Sequence, residues 1–371
     1  MIYLKRKQLR IIYLCLGIVI LGGAISTNAD YIFTTPKNCG PTVNTSSNEG
    51  LARISSDGLS LYFVSDRPGG FGNNDLYVST RATINEQWGN PVNLGATVNS
   101  NVSDYWPSIS ADNLTLYFCS GGGRGGQGNV DIWQTTRPTI NDEWDLVENL
   151  GLSINTLNHE TAPFISADGL ELYFASDRSG IWALYVSKRA TKDEEWGEPV
   201  YLDVVNNPYE KNGAGASLSA DGLTLFLNSE RPGGFGEFDI YVTTRETKDS
   251  NWSAPLNLGP QVNTQYAEFC PSISSDGNTL YFCDVPWSVF RPGGKGGGDI
   301  WQVSIEPIVD LNGDGIVDAV DMCIIVDNWD TDNSLCDIGP MPWGDGVVDV
   351  QDLIVLAEHL FEEFPPAEEV E

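Results

Sequence analysis

A nine-residue element, Ser-x-Asp-Gly-x-x-Leu-Tyr-Phe, occurs at 55–63, 166–174 and 274–282 and, with small changes, at 110–118 and 219–227. Its anchors Asp57, Asp112, Asp168, Asp221 and Asp276 stand 55, 56, 53 and 55 positions apart. A fixed period of that size restricts the chain to a propeller or a solenoid. Within each unit the order also recurs: an alternating apolar run, Asp-Gly, Leu-Tyr-Phe, Ser-Asp-Arg-Pro-Gly-Gly, Asp-Ile-Tyr-Val, an Arg, a Trp and Pro-x-Asn-Leu-Gly. Asp-Gly between two alternating runs marks a tight hairpin, because glycine accepts the positive φ that such turns need.

The second copy reads as four strands: 107–111, 116–120, 130–135 and the stretch after Trp144. Four short antiparallel strands make one blade of a β-propeller, so five anchors predict five blades. The fifth copy lacks its Trp/Pro/Asn-Leu-Gly tail, and residues 33–44 align with that tail as it stands at 252–263. The expected fold is therefore an all-β five-bladed β-propeller closed by its N-terminal strand, over residues 30–305, which leaves no open edge. The recurring Arg81, Arg137, Arg189, Arg245 and Trp88, Trp144, Trp196, Trp252 then read as packing, since recurrence in every copy marks scaffold. These elements resemble the TolB-type, WD-like propeller repeats over residues 31–305, a resemblance that implies mostly non-catalytic, interaction or envelope-associated roles. Copy two departs from it at Gly121–Arg124, copy three is short at Ser179–Leu184, and copy five carries an insertion within Asp284–Arg291.

Eight positions before the anchors stand Glu49, Asp104, Glu160 and Glu268, whereas copy four has Gly213 there and Glu210 earlier. A propeller places them round one mouth of its channel, where close carboxylates repel and need cationic partners. The conservative reading pairs each with a loop arginine, Arg67, Arg178, Arg231 or Arg291. The sharper one is a site for a cation or a sugar, with Tyr105, Trp106, His159, Tyr209 and Tyr266 on the same rim.

With 51 acidic against 20 basic residues and a net charge of −31, the chain is unsuited to nucleic acid, whose binding rests on Lys and Arg displacing counterions, and to anionic lipid. Two histidines, His159 and His359, leave little material for His-dependent nucleophiles or multi-His zinc sites. Residues 1–29, with Lys5, Arg6, Lys7 and Arg10 ahead of the apolar stretch 11–26, have the pattern of a signal peptide, predicting a secreted or cell-surface protein; an uncleaved anchor is the alternative. Its removal takes four basic residues and brings the net charge to −35. Export permits disulfides, with Cys323–Cys336 a reasonable local pairing among the six remaining cysteines.

Residues 306–371 hold 18 acidic residues and no Lys or Arg. Asp310, Asn312, Asp314, Ile316, Asp318 and Asp321 occupy positions 1, 3, 5, 7, 9 and 12 of a Ca2+ loop, with Gly315 at position 6 for the sharp turn. A helix is expected over 320–329. A second copy, with Asp345, Val347, Asp349 and Asp352, precedes a helix expected over 353–363. Met341 and Trp343 stand at its positions 1 and 3 and cannot ligate a hard cation, which leaves Asp337 to fold back in their place or the site weak. Two loop-helix units ending in Asp resemble a type I dockerin, an EF-hand-like module. That resemblance implies calcium and a cohesin-like or other cell-surface partner, although Ala319-Val320 and Val350-Gln351 replace the usual paired hydroxyl residues.

The expected function is a secreted, non-enzymatic propeller that binds a protein or glycan and is tethered by this module. The competing expectation is a polysaccharide-active glycoside hydrolase, which five-bladed propellers also house; it needs two asymmetric carboxylates at the channel.

Overall fold

The structure is a computed structural model that describes residues 31–207, 215–285, 291–331, 333, 336–339 and 347–362. Residues 1–29, over which a signal peptide was expected, and Tyr209, Glu210, Gly213, Met341, Trp343 and Asp345 lie outside them. The chain divides into two units, one of residues 32–307 and one built mainly from those after Ile308.

The first unit is five antiparallel sheets. Blade I comprises Glu49–Ile54, Ser60–Ser65, Asp75–Thr80 and Val92–Asn93; blade II, Asp104–Ile109, Thr115–Gly121, Val130–Thr136 and Glu148–Asn149. Blade III is Glu160–Ile165, Glu171–Ser176, Ala183–Lys188 and Val200–Tyr201; blade IV, Ala216–Leu218, Thr224–Ser229, Asp239–Thr244 and Leu256–Asn257. Blade V holds Phe269–Ile273, Thr279–Cys283 and Ile300–Pro307. The first strand of each blade touches that of the next, and the fifth touches the first, so these five strands surround a common axis. The second strands are buried on both faces (Leu61, Tyr62 and Phe63 at 0–2% exposure) because each sheet lies between two others.

The last strand, Ile300–Pro307, pairs with the chain's own start. Lys37 and Asn38 stand opposite Gln302 and Trp301, and Thr34 donates its N–H to the Ser304 carbonyl at 3.0 Å. Asn44 accepts from Ile300 N–H at 2.9 Å and donates to its carbonyl at 2.8 Å. Asn99, Asn155 and Asn263 do the same for Leu76, Ile132 and Ile240 within blades I, II and IV.

The repeated motifs have local causes. In the Asp-Gly turn of blade I, Asp57 accepts from Ser55 Oγ at 2.5 Å and Leu59 N–H at 2.9 Å, and Gly58 sits at φ 69°. In Pro-Gly-Gly the two glycines serve different ends. Gly69 has φ 99° and open space around it, whereas a Cβ on Gly70 would lie 1.9 Å from Asp75 Oδ2. Asp75 needs that approach because it accepts from Phe71 N–H at 2.6 Å and Gly72 N–H at 3.0 Å, which holds the loop to the sheet. Gly70→Ala is therefore expected to cost about 3 kcal/mol, and Gly69→Ala about 1 kcal/mol from backbone strain alone, as urea midpoints will show. The repeated Arg–Trp pairs are stacks: Arg81, Arg137, Arg189 and Arg245 lie 4.2, 4.3, 4.2 and 4.5 Å from the Trp88, Trp144, Trp196 and Trp252 ring centres.

Among its described residues the second unit has two helices, α1 (Ala319–Asp327) and α2 (Val350–Glu358). Both start earlier than the sequence pattern placed them, because Asp318 and Asp349 cap them and form reciprocal capping boxes with Asp321 and Asp352. Val317, Ile325, Ile338, Val348 and Leu356 are fully buried between them. Cys39, Cys119, Cys270, Cys283 and Cys323 are free thiols; Cys336 lies in this core, whereas Cys323 is exposed on α1, and the expected pairing of the two is not formed.

Candidate functional site

The four ring acids are buried, at 0–1% exposure, at one mouth of the channel. Each meets an arginine from the loop that follows the second strand: Arg67 to Glu49 at 3.1 Å, Arg124 to Asp104 at 2.8 Å, Arg178 to Glu160 at 3.3 Å, and Arg291 to Glu268. Backbone and hydroxyl donors complete the shell. Glu49 also accepts from Thr45 N–H and Oγ and from Ser65 Oγ, and Glu160 from the equivalent Thr156 and Ser176. Asp104 reaches an arginine although its loop lacks Ser-Asp-Arg, because a single 3-10 turn at Gly122–Arg124 carries Arg124 round. Arg231, in the blade without an acid at that position, donates to Ser229 Oγ and the Val205 carbonyl.

Blade V departs from this one-acid, one-arginine scheme. Where the other blades have Ser65, Ser120, Ser176 and Ser229, it has Asp284, so Arg291 faces two carboxylates. Asp284 Oδ2 accepts from Trp301 Nε1 at 2.6 Å. Its Oδ1 is buried and ion-paired with Arg291 Nε at 3.5 Å, and neither atom has a hydrogen-bond partner among the described residues. Burial raises both acids against the pull of Arg291, Glu268 to about 8 and Asp284 to about 6.

A cavity of about 540 Å3 opens at this mouth. Its rings are Tyr105, Trp106, His159, Trp182 and Phe269, and its carboxylates Glu49 and Asp284. Trp106 meets Phe269 edge-on at 5.6 Å, and His159 lies 5.8 Å from Trp182 with Nδ1 3.1 Å from Asp177. The innermost strands open out here through β-bulges whose central residues Leu51, Trp106, Ala162 and Cys270 sit at φ 50–58°, a costly conformation for residues with a Cβ. Deeper in, Arg53 crosses the channel: it donates to the Pro271 and Ala216 carbonyls, lies 5.4 Å from the Phe164 ring centre, and is lowered to about 10 by burial.

Of the residues singled out in the sequence, Glu49, Tyr105, Trp106 and His159 share this cavity. Asp104, Glu160 and Glu268 do not line it; their carboxylates are turned into the loop arginines and hydroxyls. Trp182, Phe269 and Asp284 were missed. Their signal is departure from the repeat: Asp284 stands where the other copies have Ser, and the residue preceding Asp75, Asp131, Ala183, Asp239 and Asp299 reads Asn74, Val130, Trp182, Phe238 and Gly298, different in every copy, with four of the five lining the cavity.

In the second unit, Asp310 accepts from Gly313, Asp314 and Gly315 N–H at 2.8, 3.2 and 2.9 Å, with Gly313 and Gly315 at φ 71° and 91°. Asp321 is fully buried and accepts from Asn312 N–H at 3.1 Å. In the second loop, Asp352 is equally buried and accepts from Gly339 N–H at 2.8 Å, which puts Gly339 in the place of Asn312 and Asp337 in that of Asp310. Among the described residues no three acidic, His or Cys side chains converge closely enough to hold one ion. The donor set nevertheless fits a hard cation: it is all oxygen, and residues 306–371 contain no Lys or Arg to balance the buried acids.

No protein-family model matches the chain, and no curated protein sequence does. Among solved structures it is similar to TolB from Acinetobacter baumannii, at 16% identity and a TM-score of 0.42, over 76% of this chain and 66% of that one. It is also similar to an α-L-arabinofuranosidase from Podospora anserina solved with cellotriose, at 13% and 0.48 over 74% and 95%. The catalytic domain of an α-L-arabinofuranosidase from Coprinopsis cinerea aligns at 10% and 0.49 over 73% and 97%. These likenesses are of propeller architecture, and the blade count rests on the strand pairing described above. Among the described residues no helix is long and apolar enough to cross a membrane.

Proposed function

We propose that this is an exported, non-enzymatic propeller that takes a sugar residue of a glycan chain in its mouth cavity and is tethered through a calcium-loaded, dockerin-like module to a cohesin-like or other cell-surface partner. The observation that carries the first part is the cavity itself: five rings at positions that break the repeat, above acids already consumed by arginines. Aromatic faces suit pyranose rings, and the volume suits one or two of them. Isothermal titration with soluble oligosaccharides should give saturable binding that falls about tenfold or more in Trp106→Ala and Trp182→Ala. Unchanged affinity in both would remove the cavity from the function.

For calcium, Asp310, Asn312, Asp314, the Ile316 carbonyl, Asp318 and Asp321 would form the first site, and Asp337, Asp349 and Asp352 would contribute to the second. Calcium would screen the clustered carboxylates, so a calorimetric scan of the full chain should show one transition rising with calcium and the propeller transition fixed. Asp321→Asn should abolish that rise; a rise that persists in the variant would move the site elsewhere. In the same reading residues 31–44 act as the clasp of the ring, supported by their pairing with Ile300–Pro307.

Asp284 is the one observation that favours the hydrolase reading, since a buried acid at a cavity wall is what a general acid requires. Release of reducing sugar from polysaccharide by the wild type, lost in Asp284→Asn, would establish it over the binding role.

A further inference from the structure

We propose that Cys270 and Cys283 form a two-coordinate site for a soft monovalent metal ion of the copper(I) class on the inner wall of the ring, with Arg53 supplying the balancing charge. Six positions before and seven after its anchor Asp276, blade V has Cys270 and Cys283; the other copies have at most one sulfur at these places, Cys119 in blade II. The later place has a scaffold task. Cys283 Sγ accepts from Leu51 N–H at 3.4 Å, and Asn228 Oδ1 from Cys270 N–H at 3.1 Å, so each reaches the bulge of the next blade. The Cys270 side chain has no part in that task. It is carried at φ 53° on the bulge of Phe269–Ile273, where its thiol hydrogen-bonds to Cys283. Both are buried free thiols, and Cys283 lines the mouth cavity, which gives an ion its way in.

The charge of Arg53 favours a metal over a disulfide. Arg53 is buried, and among the described residues its guanidinium meets two carbonyls and the Phe164 ring but no carboxylate. Burial lowers it, and the groups whose charge would oppose that lowering are the thiols of Cys270 and Cys283. A disulfide is neutral and would leave this buried cation uncompensated. Two thiolates round one copper(I) carry one net negative charge instead: each thiol releases its proton to solvent as its sulfur donates a lone pair to the metal, and no atom changes oxidation state. The Leu51 N–H already aimed at the Cys283 sulfur would stabilise the thiolate form. Zinc is disfavoured because it takes four ligands, and among the described residues no third His, Cys or carboxylate converges on the pair.

The test is titration of the reduced full chain with copper(I), without oxygen, in competition with a coloured copper(I) chelator. The wild type is expected to hold one ion about a hundredfold or more tighter than Cys270→Ala and Cys283→Ala, since losing a ligand costs at least as much as losing a supporting contact. Cys119→Ala removes a buried thiol whose own bulge carries no second sulfur; it should leave the tight site in place and controls for a packing defect. Arg53→Gln should weaken the site about tenfold or more, and Arg53→Lys less. X-ray absorption at the copper edge of the wild type should show two sulfur ligands, a readout that needs no variant to fold. Equal affinity in the wild type and both blade V cysteine variants, or a shell of three or more ligands, overturns the proposal. Recovery of Cys270 and Cys283 as a disulfide from chain isolated without reductant would put a covalent bond in place of the metal and overturn it as well.

Discussion

A chain shortened to begin at Asn48 is expected not to fold as a cooperative ring, whereas one of residues 31–307 is expected to do so. The missing residues 31–47 provide the strand partners of Gln302 and Trp301, the fully buried Val43, and the two buried hydrogen bonds from Asn44 to Ile300. They also provide the Ser47 carbonyl, against which Gly296 packs so closely that a Cβ would approach to 1.9 Å. One buried valine and two buried hydrogen bonds are together worth about 3 to 6 kcal/mol, and the exposed edge of Ile300–Pro307 adds an aggregation hazard. That is a large part of what a domain possesses. Gel filtration and urea unfolding of the two truncations decide the matter, and Asn44→Ala alone should cost about 2 kcal/mol. An unfolding midpoint unchanged by loss of residues 31–47 would show that the seam contributes nothing.

Arg291→Ala is expected to destabilise the propeller by about 3 to 5 kcal/mol at pH 8, because it leaves two buried carboxylates without their cation. The direction with pH follows from the two acids. Both are raised in the folded state, Glu268 from 4.5 to about 8 and Asp284 from 3.8 to about 6. Such groups favour folding while protonated, so their contribution is fully present below about pH 4 and is lost as pH rises through 6 and 8. The wild type should therefore lose stability across that window, and Arg291→Ala, which removes the only guanidinium opposing the shift, should lose more. At pH 5 the gap between the two should narrow as the acids take up protons. Asp299, which adds to the negative field at Asp284, acts in the same direction. Asp284→Ser in the same background should recover much of the loss at pH 8. Parallel stability curves for wild type and Arg291→Ala would refute the shared-arginine account.

The blades were legible because each motif answers a local need. Asp57 fixes its own turn, Gly70 admits Asp75 to the loop, and Arg81 stacks on Trp88, so their spacing reports the strands directly. The pairing of ring acids with loop arginines was also in reach, since the Ser-Asp-Arg and Arg-Pro-Gly-Gly elements mark Arg67, Arg178 and Arg291 in their copies. Arg124 was not, because the turn at Gly122–Arg124 has no counterpart in the other copies. The cavity is harder to read for the opposite reason. It is built where the copies disagree, at Trp182, Phe269 and Asp284, and a search for recurrence passes over such positions. In the second unit the calcium-loop spacing was plain, but the helix starts follow the capping Asp318 and Asp349 rather than the first apolar residues of the helical pattern. The correspondence of Gly339 with Asn312 shows only in the backbone bond each makes to a buried Asp.

Thr34 and Ser304 are hydrogen-bonded to each other across 270 positions of chain. During synthesis, residues 34–44 must wait for Ile300–Pro307, while blades I to IV can each pair their own four strands as they emerge. The final step is thus the closure of a very long loop, whose entropy no local contact offsets and which makes it the slow event. Until its last strand has arrived, the ring stays open.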